Sequence, residues 1–241
     1  MRVVVYGDIH GCMDEFLALR RRIGITKEDR EYSVGDILNK GPKSIELLRY
    51  FQKSSIQMVR GNHEDKFIRY AWHEEQKGKK NPMKLTPMEQ GIYKELTSLD
   101  LAYLRSLPFY LTIGMLTIVH AGVLPSTRLE SLDKKEAAKV MRVRYVDGMG
   151  GFVSLDESDP ARHFWWSELY DGRYGYIIYG HQPFLNPRVD RWSFGIDTGA
   201  VYGNRLSAIL FEDGDPWRYE IVSVSSTRYT KIERPWILPN L

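Results

Sequence analysis

Short apolar runs that end on a glycine and a polar residue recur along this chain, and the first three are each followed by a helical period. Residues 3–6, Val-Val-Val-Tyr, form a β-branched run closed by Gly7. Residues 13–23 then carry Phe16, Leu17 and Leu19 with basic residues beyond, so the chain opens as strand, loop and helix. The unit repeats twice. Residues 32–34 lead into Gly35-Asp36-Ile37-Leu38-Asn39-Lys40-Gly41-Pro42 and a helix over 44–52, whose apolar positions are Ile45, Leu47, Leu48 and Phe51. Residues 56–59 lead into Arg60-Gly61-Asn62-His63-Glu64 and a helical stretch reaching His73. Alternating strands and helices predict an α/β fold, layered in the α+β manner, with a largely parallel sheet. In such sheets ligands bind beyond the carboxyl ends of the strands, where each of these polar motifs falls.

Beyond residue 74 the pattern changes. Residues 74–108 are rich in Lys and Glu, with Pro82 and Pro87 as breakers and a helix predicted over 88–107, and they read as a helical cap inserted in a single domain spanning 1–241. Strands follow over 109–113, 116–119 (ending at His120-Ala121-Gly122) and 176–179 (ending at Gly180-His181). In the last third, 194–197, 206–211 and 218–224 alternate and turn at 212–215 as a hairpin would. The tail over 232–241 carries Trp236, Ile237 and Leu238, which could dock on the body or on a partner.

Composition narrows the function classes. A chain of 241 residues with 43% hydrophobic and 27% charged residues suits one globular domain able to keep a cleft. A net charge of +3 indicates no surface for duplex nucleic acid, although a local basic pocket for an anion remains compatible with it. One cysteine, Cys12, cannot form an intramolecular disulfide, and no signal-peptide hydrophobic region precedes the first strand, so a cytoplasmic protein is expected. The longest uncharged run, 109–125, is too short and too polar to span a membrane.

Chemistry concentrates at the strand ends, which present Asp8 and His10, Asp36, Asn62 and His63, His120, and His181. Imidazole nitrogens and carboxylate oxygens hold divalent transition metals, and one carboxylate can bridge two ions. A lone histidine after a strand is more often a satisfied buried side chain, and a lone Asn62 would be an ordinary turn residue. Five separate loops that each offer a metal-compatible group shift the balance toward a metal site. His73 and His163 have no such setting.

Taken in order, Gly-Asp-Ile-His-Gly, Gly-Asp-Ile-Leu-Asn-Lys-Gly, Gly-Asn-His-Glu, Val-His-Ala-Gly and Gly-His resemble the signatures of the calcineurin-like metallophosphoesterases, in the branch holding the Ser/Thr protein phosphatases. The resemblance runs from residue 2 to about residue 211. It implies two central mixed sheets flanked by helices. It also implies a two-metal centre, with Asp8, His10 and Asp36 on one ion and Asp36, Asn62, His120 and His181 on the other. Phosphorus would be attacked in line by a hydroxide held between the ions, with His63 as general acid and Lys40 near the phosphate. Manganese is the expected metal, and iron, zinc, cobalt and nickel suit the same donors.

Two residues depart from the protein phosphatase pattern, which reads Asp-Arg-Gly where this chain has Asn39-Lys40-Gly41. Without the carboxylate, Asn39 is expected to orient His63 by accepting a hydrogen bond while withdrawing the charge that favours the imidazolium. A terminal phosphate leaves with a pKa of about 6, whereas a serine alkoxide resembles hydroxide, near about 15.7. That gap is worth roughly 12 kcal/mol of leaving-group stability, so a phosphoanhydride needs far less acid help. The Asn-Lys pair resembles that of the ApaH-like phosphatases, relatives of symmetrical diadenosine tetraphosphatase. Met141-Arg142-Val143-Arg144-Tyr145 resembles their arginine-bearing segment, with Arg144 in preference to Arg142 as phosphate contact.

The expected function is therefore hydrolysis of phosphoanhydrides in nucleoside polyphosphates, with diadenosine tetraphosphate cut to two ADP as the lead and inorganic polyphosphate as a related substrate. A phosphoprotein phosphatase is the alternative, and a non-catalytic nucleotide sensor a further one. Trp165 and Trp166 could stack a base but more often pack, and Lys77, Lys79, Lys80 and Lys84 read as a solvated charged loop that could steer a polyanion. Sequence does not decide between monomer and homodimer.

Overall fold

The computed structural model describes residues 1–231, so the expected tail lies outside the described residues. In chain order the elements are β1 (Arg2–Tyr6), α1 (Met13–Ile23), β2 (Arg30–Ser33), α2 (Ser44–Lys53), β3 (Gln57–Met58), α3 (Asn62–Glu74), α4 (Pro87–Glu95), α5 (Ser98–Ser106), β4 (Tyr110–Ile113), β5 (Leu116–Val119), α6 (Lys134–Val140), β6 (Tyr145–Val146), β7 (Phe152–Val153), β8 (Phe164–Trp165), β9 (Tyr176–Tyr179), β10 (Arg188–Asp190), β11 (Ser193–Gly195), β12 (Arg205–Glu212) and β13 (Tyr219–Ser225).

Two five-stranded mixed sheets form the centre, ordered β13-β12-β1-β2-β3 and β10-β11-β9-β5-β4. The strand period of two divides each buried strand between two cores. Val4 and Tyr6 of β1 face Phe16 and Leu19 of α1 and Leu47, Leu48 and Phe51 of α2. Val3 and Val5 face the second sheet, where they share a core with Leu116, Ile118, Ile178 and Phe194. The far side of that sheet presents Val119, Ile177 and Tyr179 to Val140, Val143 and Trp166. Continuous apolar runs such as Val3-Val4-Val5 are thus what strands covered on both faces require. These are the two mixed sheets flanked by helices that the motifs implied.

Two features differ from expectation. The helix predicted over 88–107 is two helices, because Thr97 caps α5: its hydroxyl accepts from the Asp100 N–H at 3.2 Å, and the Asp100 carboxylate accepts from the Thr97 N–H at 2.8 Å. Both helices border α2 and α3, and Ile92 and Leu104 join the helix-side core. Between β5 and β9 lie α6 and a small antiparallel sheet, β7-β6-β8, of two-residue strands too short to show a period. Among the described residues no helix is long and apolar enough to cross a membrane.

Candidate active site

β1, β2 and β3 run parallel, as do β5, β9 and β11. Asp8, Asp36, Asn62, His120, His181 and Asp197 each follow one of these six strands. Getting the side chains inward demands unusual backbone. Of the six non-glycine residues with positive φ among those described, five are here: His10 (48°), Asp36 (52°), Asn39 (73°), Lys40 (67°) and His181 (66°). Each costs on the order of 1–3 kcal/mol unless its surroundings dictate it. For the Asp36 loop they do: the buried Glu64 carboxylate accepts from the backbone N–H of Asp36 (2.8 Å), Ile37 (3.0 Å), Leu38 (3.2 Å) and Gly61 (3.0 Å). Gly180 is required for closeness, since a Cβ there would strike Asp8 Oδ1. Asp8 instead accepts from the His181 N–H with both oxygens at 3.1 Å.

Two groups of donor atoms, His10–Asp36–His63 and Asp36–His120–His181, each lie within 4.8 Å of one another and share Asp36. Asp8 Oδ2 is 3.9 Å from His10 Nε2, and Asn62 Oδ1 is 3.0 Å from His120 Nε2. Hydrogen bonding sets the tautomers. His10 Nδ1 lies 2.9 Å from the Leu38 carbonyl and His120 Nδ1 lies 2.8 Å from that of Val34. A carbonyl only accepts, so both Nδ1 atoms carry the proton and both Nε2 lone pairs are free to ligate. His181 Nε2 is buried with no hydrogen-bond partner.

The electrostatics call for a cation. Asp8, Asp36 and Asp197 are all buried. Burial, then the charges of Asp197 and Asp36, pushes Asp8 well above the usual carboxylate range, and burial pushes Asp197 up to about 6. Burial with Lys40 drives His10 down to about 3, and burial with Arg144 and His120 holds His181 far below the usual imidazole range. His120 goes the other way: burial opposes its charge, but Asp36 outweighs it and holds the imidazole above its ordinary range. Carboxylate oxygens and imidazole nitrogens gathered this closely fit a metal ion, which would relieve both the carboxylate excess and the orphaned nitrogen.

The sequence profile of the calcineurin-like phosphoesterases matches residues 1–211. The chain belongs to that family. It is 31% identical over 249 aligned positions to the asymmetrical bis(5′-nucleosyl)-tetraphosphatase PrpE of Bacillus velezensis, covering 92% of each chain, and 30% identical to that of Bacillus subtilis, covering 92% of this chain and 94% of the relative. Two solved structures share the fold. One, a protein provisionally called a diadenosine tetraphosphatase, superimposes with a TM-score of 0.75 at 23% identity over 94% of both chains. The other, a Saccharomyces cerevisiae serine/threonine phosphatase, gives 0.63 at 16% identity, covering 96% of this chain and 82% of that one. Membership implies a divalent-metal centre for phosphoester hydrolysis, and the donor set fits one.

Around this phosphoesterase centre lies a cleft of about 600 Å³. Lys40, Lys66, Arg144 and Lys231 bring positive charge to it, and Met88, Leu155 and Tyr202 bring apolar surface. Lys40 Nζ sits 3.0 Å from His10 Nε2 and over the Tyr202 ring, and Arg144 donates to Gln182 Oε1 at 2.6 Å. Arg142 turns away to Asp65. Trp166 is core and Trp165 stacks on Tyr145; neither lines the cleft, nor do Lys77, Lys79, Lys80 and Lys84. His73 lines a separate cavity and His163 accepts from the Asp159 N–H.

Asn39 does not act as expected. Its Oδ1 accepts from the Lys40 N–H at 2.9 Å, which fixes the amide so that Nδ2, a donor, faces His63 Nδ1 at 2.9 Å. Asn39 therefore donates to His63 and does not accept from it. Nδ1 must hold a lone pair, and the proton of the neutral ring sits on Nε2. Burial is the main force holding this imidazole well below its ordinary range, against the pull of Asp36. An Nε2–H nitrogen cannot ligate a metal, and His63 Nε2 stands 3.9 Å from Asp36 Oδ2, beyond hydrogen-bonding distance, with its proton free for another acceptor. Sequence reasoning gave no role to Glu64, Asp197, Tyr202 or Glu89. Glu64 lay inside a quoted motif and Asp197 at the end of the strand predicted over 194–197, while Tyr202 and Glu89 were given no place among the site residues.

Proposed function

We propose that this phosphoesterase is a cytoplasmic hydrolase of nucleoside polyphosphates, with diadenosine tetraphosphate as lead substrate and inorganic polyphosphate as a second. The observation that carries the reading is the Asn39 amide donating to His63 Nδ1. It supports a neutral Nε2–H donor, sufficient for a phosphate leaving group of pKa about 6 and ill suited to an alkoxide. Two divalent ions, manganese in our reading, would be held by Asp8, His10 and Asp36 and by Asp36, Asn62, His120 and His181. They would supply an activated water and neutralise phosphoryl charge. Lys40 and Arg144 would bind the phosphoryl group under attack, Lys66 and Lys231 the rest of the chain, and Tyr202, Met88 and Leu155 a base. His63 Nε2–H would donate to the departing oxygen.

Hydrolysis between the two middle phosphates gives two ADP, as the ApaH-like resemblance implied, and hydrolysis at an outer anhydride gives AMP and ATP. The Bacillus relatives are named for asymmetrical cleavage, which favours the unequal pair here. Turnover with manganese, resolved by nucleotide chromatography, tests both levels. Equimolar AMP and ATP are expected, and ADP as the sole product would overturn the regiochemistry. A phosphoserine peptide with the higher kcat/KM would overturn the substrate class and restore the phosphoprotein phosphatase.

A further inference from the structure

Glu89 lies in α4, 50 residues from Asn39, yet it is buried against the cleft. Its Oε1 accepts the Asn39 amide at 2.9 Å. The same carboxylate takes the Lys66 ammonium at 2.6 and 2.7 Å and the Thr86 N–H at 2.8 Å. One amide proton of Asn39 thus points to Glu89 and the other to His63, while its oxygen is held by the Lys40 N–H. A flipped amide would set oxygen against the Glu89 carboxylate and NH₂ against the Lys40 N–H, two repulsive contacts in a buried place. We infer that Glu89 is a positioning residue: from the wall of the cleft it locks Asn39, and through Asn39 it keeps the His63 proton on Nε2, facing the reaction. This inference rests on the hydrolytic reading of the site.

The test uses the full-length, zinc-loaded protein, labelled at histidine nitrogen, with tautomers read by NMR alongside kinetics on diadenosine tetraphosphate. Wild type is expected to show His63 as a single Nε2–H form. Glu89→Leu is expected to leave a mixture of the two neutral tautomers and to lower kcat by about 10- to 100-fold, the usual cost of removing a supporting partner, with little change in KM. Glu89→Gln keeps one acceptor oxygen for the amide and is expected to restore both tautomer and rate. Asn39→Ala leaves the α4 contacts of Glu89 in place and is expected to release the tautomer as Glu89→Leu does, so a failure of that variant to fold leaves the test intact. A single Nε2–H form in Glu89→Leu or in Asn39→Ala would overturn the inference, reducing Glu89 to a helix cap. Because the tautomer is read without turnover, a wild type inactive on polyphosphates would sink the hydrolase reading alone. Normal turnover with a tautomer indifferent to both substitutions would sink the inference alone.

Discussion

An aspartate placed at position 39 would meet more than a histidine. The Asn39 amide nitrogen is 2.9 Å from Glu89 Oε1, so Asn39→Asp sets two carboxylates against each other and one must take a proton or move. The single substitution is therefore expected to do little for phosphoserine, whereas Asn39→Asp combined with Glu89→Gln should raise the phosphoserine-to-anhydride ratio of kcat/KM by about tenfold or more, within the usual range of general acid catalysis. An unchanged ratio in the double variant would remove the leaving-group account. At the centre, Asp36→Asn should lower kcat/KM by at least about 10³, several kcal/mol of charge stabilisation, together with bound metal measured by elemental analysis. Near-normal values would take Asp36 out of the bridge. The donors here were legible because each sits at a strand end, most of them beside a glycine. Asp197 closed a predicted strand without a role, because one acid at a strand end says nothing until β11 is known to run parallel to β9. Glu89 was invisible, since no local pattern announces a contact made only when α4 docks.

Helix caps separate stability from chemistry at the level of elements. Thr97 starts α5 away from the cleft, so Thr97→Ala should cost about 1 kcal/mol, a fall of about 2–4 °C in Tm for a chain of this size, with kcat unchanged. A drop in kcat would mean that α5 braces the site. Gly180→Ala tests the opposite kind of position. Its added methyl would displace the Asp8 carboxylate and is expected to weaken metal affinity more than it lowers Tm. The strand-loop-helix units were readable because their apolar periods are long. The break before Thr97 was not, because a hydroxyl followed three residues later by a carboxylate was passed over inside a continuous helical pattern. The strands β6, β7 and β8 have two residues each and carry no period at all.

For the molecule as a whole, the metal-free protein should behave in a way the loaded one does not. Asp197 rises from 3.8 to about 6 in the folded state, so across that window the native protein holds a proton that the unfolded chain releases. The contribution of Asp197 to the stability of the chelator-stripped protein should therefore fall as pH rises from about 4 to 6, against the rising contribution of His10, His63 and His181, whose imidazoles are held neutral by burial. Asp197→Asn should thus shift the slope of Tm against pH upward in this window, and an unchanged slope would take Asp197 out of the balance. Fold and family were legible at this scale because five loops answer to one strand-end logic, while the small sheet and the α4 contact emerge only from packing. β1 lies between β2 and β12, and Asp8 closes on the backbone of His181, 173 residues later. A nascent chain that ends before residue 120 offers Asp8, His10, Asp36 and Asn62 without either remaining imidazole ligand. A second metal position built on His120 and His181 would close only once β5 and β9 have joined the sheet, so metal capture would follow long-range closure of the chain and report on it.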